Sequence, residues 1–591
     1  MGDQPLPGMG AIVTDEGTGF RVWAPHADAV DVVVYGDAGR VEPLADEGNG
    51  YWYGFAAGVR PGQEYRFALT CGDRRIERVD PYAAQVTNSV GNGVVYDHDA
   101  FDWEGDEFTP PPFNELVIYE LHAGTFAATE DGQVADLDDL AERLDHLVRL
   151  GVNALQIMPV AEFAGDYSWG YNPAHIFAVE SAYGGPDALK NLVRQAHRRG
   201  LAVIQDVVYN HFGPSDLNLW QFDGWSERGL GGIYFYNDWR SATPWGDTRP
   251  DYGRGEVRQF IHDNALGWLR NFHVDGLRYD MTPYMRSVDG SGTDIPDGWS
   301  LSRWINDDVR ARFPGRILIA EDLHSNPAVS STGPEGAAFH AQWDAQFVHP
   351  VRENVIEPSD DTRSTAEIAA AIGYSYGDPF ARVIYTESHD EVANGRARVP
   401  EEVDPADPTG YFAQKRSTLG AGLVFTSPGI PMIFQGQEFL EGGWFRDNVA
   451  LDWDQDEEFH GIVRLYRDLI RLRLDRDGTS AGLTGGGLQV FHNNDDANVL
   501  AFQRWRDHGP GDDVVVVVNL SNAERTGYRI GLPATGEWRL LFNSDARVYS
   551  DAFGNSPSHD LVASEDDYDG FTASAELTIG PYSLLIYTWH G

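Results

Sequence analysis

The chain is 591 residues long, 42% hydrophobic and 12% aromatic, and 91 acidic against 44 basic residues leave it a net charge of −47. That balance repels nucleic acid and anionic membranes, since both need clustered basic surface. The single cysteine, Cys71, excludes an internal disulfide and any cysteine-based metal cluster.

The length is several times that of one core and predicts two to four domains. Among the basic residues only Lys190 and Lys415 are lysines. Aromatic content and periodic apolar segments mark a folded chain. An acidic, lysine-poor surface stays hydrated in concentrated salt, where screening weakens self-repulsion, so a halophilic protein is expected. No stretch approaches the roughly 20 apolar residues of a membrane span. Met1-Gly-Asp-Gln-Pro lacks the basic and apolar regions of a signal peptide, so the expected location is cytoplasmic.

Residues 1–112 alternate apolar and polar positions between turn signals. Phe20-Arg-Val-Trp-Ala-Pro25, Val30-Asp-Val-Val-Val-Tyr35, Tyr51-Trp-Tyr-Gly-Phe55 and Tyr65-Arg-Phe-Ala-Leu69 read as strands of a β-sandwich. Thr109-Pro110-Pro111-Pro112 forms a stiff linker. From 113 to 478 strands and amphipathic helices alternate. Strands are predicted at Leu116–Leu121, Ala154–Val160, Leu201–Asp206, Gly276–Asp280, Arg316–Glu321, Ala341–Phe347, Arg382–Thr386 and Ile430–Phe434. Pro186 opens a helix between the second and third of these, and Gly151 sits where the preceding helix would be capped.

Eight such strands over about 360 residues predict a (β/α)8 TIM barrel. An insertion after strand three, 212–255, is dense in rings, including Trp220, Phe222, Trp225, Tyr234, Trp239 and Trp245, and is expected to fold over the barrel mouth. Some of these rings would form a satellite core, and others would stack on sugar faces. Strands return over 479–591, predicting a C-terminal β-sandwich.

Residues at the C-terminal ends of barrel strands face one site. Those ends hold Asp206 with His211, Arg278 with Asp280, Glu321 with Asp322, and His389 with Asp390. Two carboxylates about 5–5.5 Å apart suit retaining glycoside chemistry, in which one attacks the anomeric carbon and the other protonates the leaving oxygen. A nucleophile must stay ionised, and Arg278, two residues away on the same strand face, is expected to lower the pKa of Asp280. Glu321, after Ile317-Leu-Ile-Ala320, suits the protonated acid. Metal-assisted hydrolysis is the competing use of such a set, but neither His-x-His nor His-Glu-x-x-His is present, so no catalytic metal is expected.

Four segments, Asp206-Val-Val-Tyr-Asn-His211, Gly276-Leu-Arg-Tyr-Asp280, Ala320-Glu321-Asp322 and Ser388-His389-Asp390, resemble the four conserved regions of the α-amylase superfamily, glycoside hydrolase family thirteen. Phe20-Arg-Val-Trp-Ala-Pro25 and Asp80-Pro-Tyr-Ala resemble its starch-binding-type N-terminal sandwich, and the C-terminal β domain fits as well. The resemblance implies Asp280 as nucleophile, Glu321 as acid/base and Asp390 as the third carboxylate, which holds sugar hydroxyls. It implies Arg278, His211, His389, Asp206 and Tyr171, of Trp169-Gly-Tyr171, as contacts of the reacting sugar.

Within the superfamily the motifs point two ways. Tyr119-Glu-Leu-His-Ala-Gly-Thr-Phe126 and Met158-Pro-Val-Ala-Glu-Phe163 resemble maltooligosyltrehalose trehalohydrolases. Ser388-His-Asp-Glu-Val392, Phe434-Gln-Gly-Gln-Glu-Phe439 and Leu451-Asp-Trp453 resemble 1,4-α-glucan branching enzymes. Branching is favoured, with an α-glucan or maltooligosaccharide as substrate and no cofactor. The trehalohydrolase, an amylase or 4-α-glucanotransferase, and an inactive glucan-binding protein are the alternatives. Asn210 matches an amylase ligand of structural calcium, but a calcium site needs six to eight oxygens and the sequence does not identify the others, so no metal is expected.

Overall fold

The computed structural model describes residues 8–36 and 39–591. At its centre lies a closed parallel barrel of eight strands: β1 (Ile118–Leu121), β2 (Ala154–Ile157), β3 (Ala202–Val207), β4 (Gly276–Tyr279), β5 (Ile317–Ala320), β6 (Ala341–Trp343), β7 (Arg382–Ile384) and β8 (Ile430–Phe434). The last of these matches the sequence reading residue for residue. The expected strand Ala341–Phe347 is shorter. Asp344 accepts from the backbone N–H of Gln346 and caps a helix, Ala345–Ile356, that takes over the rest of that apolar run.

Successive inward positions rise through the barrel in layers, because strand side chains alternate faces. Ile118, Ala154, Ile204, Ile317, Ile319, Ala341, Val383 and Met432 form an apolar floor. Two residues further along their strands, Glu120, Gln156, Asp206 and Trp343 are buried above that floor, with Arg278 at the same level of β4. The chemistry is therefore seated on a dry base.

Helices cover the barrel in the expected alternation, with one exception. The helix Leu137–Leu150 carries a capping box between Asp136 and Asp139 and ends at Gly151, whose φ of 101° is the left-handed cap that glycine adopts without penalty. Between β5 and β6 there is no helix. That segment holds Pro327, Gly333, Pro334 and Gly336, which deny helical continuity. Its carbonyls are satisfied instead by the neighbouring helix Pro296–Arg312: Arg303 donates to Gly333 and Gly336, Asn306 to Ala337 and Arg310 to Ala338.

On the N-terminal side a four-stranded sheet (Gly10–Thr14, Gly17–Trp23, Tyr51–Ala57, Ala45–Gly48) shares a core with a second sheet through contacts such as Phe20 on Phe67. The ring-rich insertion divides between two partners. Residues 218–236 lock onto this sandwich: Trp225 stacks on His26, Tyr234 meets Trp23 edge to face, and Arg78 donates to the carbonyls of Gln221 and Phe222. Phe222, Tyr234, Phe235, Tyr236 and Tyr252 are buried, so these rings are packed away rather than free to face a ligand at the mouth. Trp245 alone among the insertion's tryptophans stacks on a barrel-end residue, His211, with ring centroids 4.5 Å apart.

The eight-stranded C-terminal sheet is joined to the barrel by a buried ion pair, Lys415 Nζ to Asp545 at 2.7 Å, and by Arg504, which donates to the Thr426 carbonyl. Lys190 is also buried and donates to the His98 carbonyl. No lysine reaches solvent. Among the described residues no helix is long and apolar enough to cross a membrane.

Candidate active site

Parallel register sets Asp206 on β3 directly beside Arg278 on β4. Asp280 and Glu321 each lie one residue past a strand end. The ladder extends to hold them, with Asp280 N donating to the Val207 carbonyl and Glu321 N to the Tyr279 carbonyl. Arg278 is wholly buried. Its Nη1 lies 2.6 Å from Asp206 Oδ2 and 3.5 Å from Asp280 Oδ1, and its Nη2 lies 2.7 Å from Glu321 Oε2. Its face covers the Trp343 ring at 4.2 Å. One guanidinium thus binds three carboxylates from three strands. Burial works against its charge, but Asp206 and Glu321 outweigh this and keep it protonated.

Arg278 does lower Asp280 as expected, but it is outweighed. The i, i+2 spacing does put both on one face, but the guanidinium reaches sideways and makes its shorter contacts to the neighbouring strands. Burial first, and the Glu321 charge second, push the Asp280 carboxyl well above its ordinary range. Arg278 and the Asn210 amide, which donates to Asp280 Oδ2 at 2.6 Å, pull the other way. Because the Glu321 charge opposes ionisation of Asp280, Asp280 ionises more readily when Glu321 carries a proton, which is the distribution a nucleophile and an acid require. The Met281 N–H donates to Glu321 Oε2 at 2.9 Å, while Glu321 Oε1 has no hydrogen-bond partner among the described residues.

Asp206 is pushed up to about 6 by burial, against Arg278 and the Tyr171 hydroxyl, which donates to Asp206 Oδ2 at 2.7 Å. Tyr171 stacks on His389 at 5.0 Å with 22° between the rings. Asp390, with its side chain 42% exposed, is the most open of the acids and lies 3.4 Å from His389 Nε2. His211 is buried, and burial lowers it to about 4, so the ring is neutral near pH 7. It is tied to Asp280 through Asn210, whose carbonyl oxygen meets His211 Nδ1 while its amide holds Asp280. Asp322, the next residue after Glu321, turns away to bind Arg286 and Thr282. All eight residues inferred from the sequence therefore converge at one end of the barrel.

Tyr171 is carried by the loop of a hairpin, Ala161–Phe163 with Pro173–Val179. Two buried acids, Glu162 and Glu180, tie that hairpin to the turn at Ser181. Glu162 accepts from the Ser181 N–H at 2.7 Å, and Glu180 accepts from the Phe163 and Ala182 N–H groups. Burial raises them to about 8 and about 7 respectively, so the pair retains protons at neutral pH.

Glu120 was not among the residues inferred from the sequence. It lies inside β1 and binds His389 at 2.7 Å. The available signal was one carboxylate within the near-continuous apolar run Leu116–Leu121.

Three family descriptions match segments of the chain: "Carbohydrate-binding module 48 (Isoamylase N-terminal domain)" over residues 8–83, "Alpha amylase, catalytic domain" over 120–224, and "Alpha amylase, C-terminal all-beta domain" over 490–590. Among curated proteins, the 1,4-alpha-glucan branching enzyme GlgB of Rhodospirillum rubrum is 31% identical over 99% of this chain and 81% of its own length. That of Corynebacterium jeikeium is 32% identical over 97% and 82%. Among solved structures, a putative alpha amylase from Salmonella typhimurium superposes with a TM-score of 0.72 at 23% identity, covering 98% of this chain and 99% of that one. A pullulanase from Bacillus acidopullulyticus gives 0.76 at 20% identity over 99% and 75%. At these identities the structural likeness establishes the fold.

Proposed function

The chain belongs to the α-amylase family, and from that premise we propose that it is a 1,4-α-glucan branching enzyme, a retaining transferase that cuts α-1,4 bonds and rejoins the freed chain as an α-1,6 branch. The observation that carries this reading is full-length identity near 30% to proteins of that name. Residues 1–112 would be the starch-binding-type sandwich, 113–478 the catalytic barrel and 479–591 the C-terminal sandwich.

In this reading Asp280 attacks the anomeric carbon as the bond to the leaving O4 breaks, and Glu321, through Oε1, gives that oxygen a proton. The product is a glucosyl ester on Asp280. The 6-hydroxyl of an acceptor glucan then loses its proton to Glu321 and displaces the ester, restoring both groups. Arg278 keeps charge balanced while the proton moves, Asp206 and Tyr171 hold the glucosyl unit, and His211, His389 and Asp390 bind its hydroxyls. Water and an acceptor hydroxyl compete for the same ester, so the outcome depends on what the mouth admits.

The test is incubation with amylose followed by linkage and end-group analysis. New α-1,6 bonds without a rise in reducing ends are expected. A rise in reducing ends would identify an amylase, and trehalose released from maltooligosyltrehalose would identify a trehalohydrolase. Either of these outcomes overturns the branching reading.

We also infer a halophilic enzyme from the net charge of −47 and from the burial of both lysines, which leaves arginine and histidine as the side-chain cations at the surface. Dialysis from molar salt into dilute buffer is expected to lower the unfolding temperature and abolish turnover, because self-repulsion is then unscreened over a Debye length of about 30 Å at 0.01 M. Full activity in dilute buffer would refute the inference.

A further inference from the structure

His389 enters the barrel mouth from the segment after β7, yet the group that holds it comes from β1, 269 residues earlier in the chain. Glu120 is wholly buried. Its Oε1 lies 2.7 Å from His389 Nδ1, its Oε2 accepts from the His389 backbone N–H at 3.1 Å, and Gln156 Nε2 on β2 donates to Oε1 at 3.3 Å. Burying a carboxylate in an otherwise apolar strand is costly unless its charge is matched. An aliphatic residue would fill the same layer without that cost. We propose that Glu120 is a positioning residue of the active site, which keeps the His389 imidazole doubly protonated and its Nε2–H on the side of Asp390 and the reacting glucosyl unit. The proposal rests on the reading of His389 as a contact of that unit.

The charge state follows from the groups around the ring. A neutral imidazole would spend its one proton on the Glu120 side at Nδ1. It would then present a bare Nε2 lone pair to the Asp390 oxygen 3.4 Å away, a repulsive contact. A second proton turns that contact into an attractive ion pair and supplies a donor that a sugar hydroxyl can take. Around the ring, Asp390 from its own segment and Glu120 from β1 favour the charge. Arg278 on β4 and burial oppose it, with His122 after β1 and Asp206 on β3 nearby. Tyr171 stacks on one face, and Trp169 and Trp343 approach at 5.8 Å. The carboxylates prevail, carrying His389 up to about 9.

Glu120→Gln keeps the side-chain shape and removes one of the two supporting anions. Two measurements on the full-length protein in salt test its role. In the first, the chain is labelled with carbon-13 at the histidine Cε1, and the His389 resonance is identified by its loss in His389→Gln. Its titration midpoint is expected to fall by at least one pH unit in Glu120→Gln. In the second, the deficit of the variant in kcat/KM on amylose is expected to widen about fivefold or more between pH 6 and pH 9, the change in protonated fraction that a one-unit fall from about 9 produces. An unmoved midpoint, or a deficit equal at every pH, overturns the proposal and leaves Glu120 a structural group. Should Glu120→Gln not fold, Glu120→Asp draws the carboxylate back by one methylene and is expected to lower the same midpoint by a smaller amount; no change would again overturn it. If the wild-type protein converts no α-glucan, the functional reading fails, while the titration still decides the link between Glu120 and His389.

Discussion

Asp280→Asn is expected to reduce turnover on amylose by on the order of 10⁴-fold, about 5–6 kcal/mol of transition-state stabilisation, while leaving the affinity for a maltooligosaccharide within a few-fold of wild type. An amide cannot form the glucosyl ester, yet it fills the same space beside Arg278 and Asn210. Binding should therefore persist when chemistry stops. The variant should also be at least as stable as the wild type at pH 7. Burial and Glu321 raise the folded-state value of Asp280, so its ionised form is disfavoured in the fold, and a neutral isostere removes that penalty. Single-turnover kinetics, calorimetric titration with maltoheptaose and thermal unfolding would read the three effects. Turnover within tenfold of wild type would exclude Asp280 as the nucleophile.

Arg278→Met should destabilise the fold by about 3–5 kcal/mol near neutral pH, the usual cost of leaving buried charges without their partner. Three carboxylates lose one counter-ion together. The loss should depend on pH in a defined direction. Asp206 sits at about 6 even with Arg278 present, against an unfolded value of about 3.9, and without Arg278 it moves higher. An acid raised in the folded state contributes stability that is fully present below its unfolded pKa and is lost as pH rises through its folded one. The deficit of the variant should therefore be small near pH 4 and should grow as pH rises past about 6, the wild-type value of Asp206. Urea midpoints measured across that window in constant molar salt would show the trend. A deficit independent of pH would mean that the lost packing over Trp343, at 4.2 Å, matters more than the charges.

Much of the site was legible because barrel topology converts strand order into place. Once eight strands were recognised, Asp206, Arg278, Asp280, Glu321 and His389 had to gather at their C-terminal ends. Strand lengths were less legible. The apolar run Ala341–Phe347 suits a strand or a buried helix equally well, and the cap at Asp344 decided between them. The insertion was recognisable as a folded unit from its rings, but its main partner was not. Trp225 and Tyr234 dock on His26 and Trp23 of the N-terminal sandwich, a choice made by surfaces about two hundred residues apart in the chain.

What the sequence by itself determined is the acidic, lysine-poor charge, the order of strands and helices, and the set of carboxylates on one barrel end, because these follow from composition, from periods of 2 and 3.6 residues, and from local turn chemistry. What only the tertiary structure decided is how those groups are wired. Arg278 binds Asp206 and Glu321 more closely than Asp280, the neighbour two residues away, because a long side chain crosses to adjacent strands. Glu120 finds His389 across 269 residues because closing the barrel brings β1 to the segment after β7. Neither pairing has a local signature, since each is set by the distance between strands in space rather than along the chain.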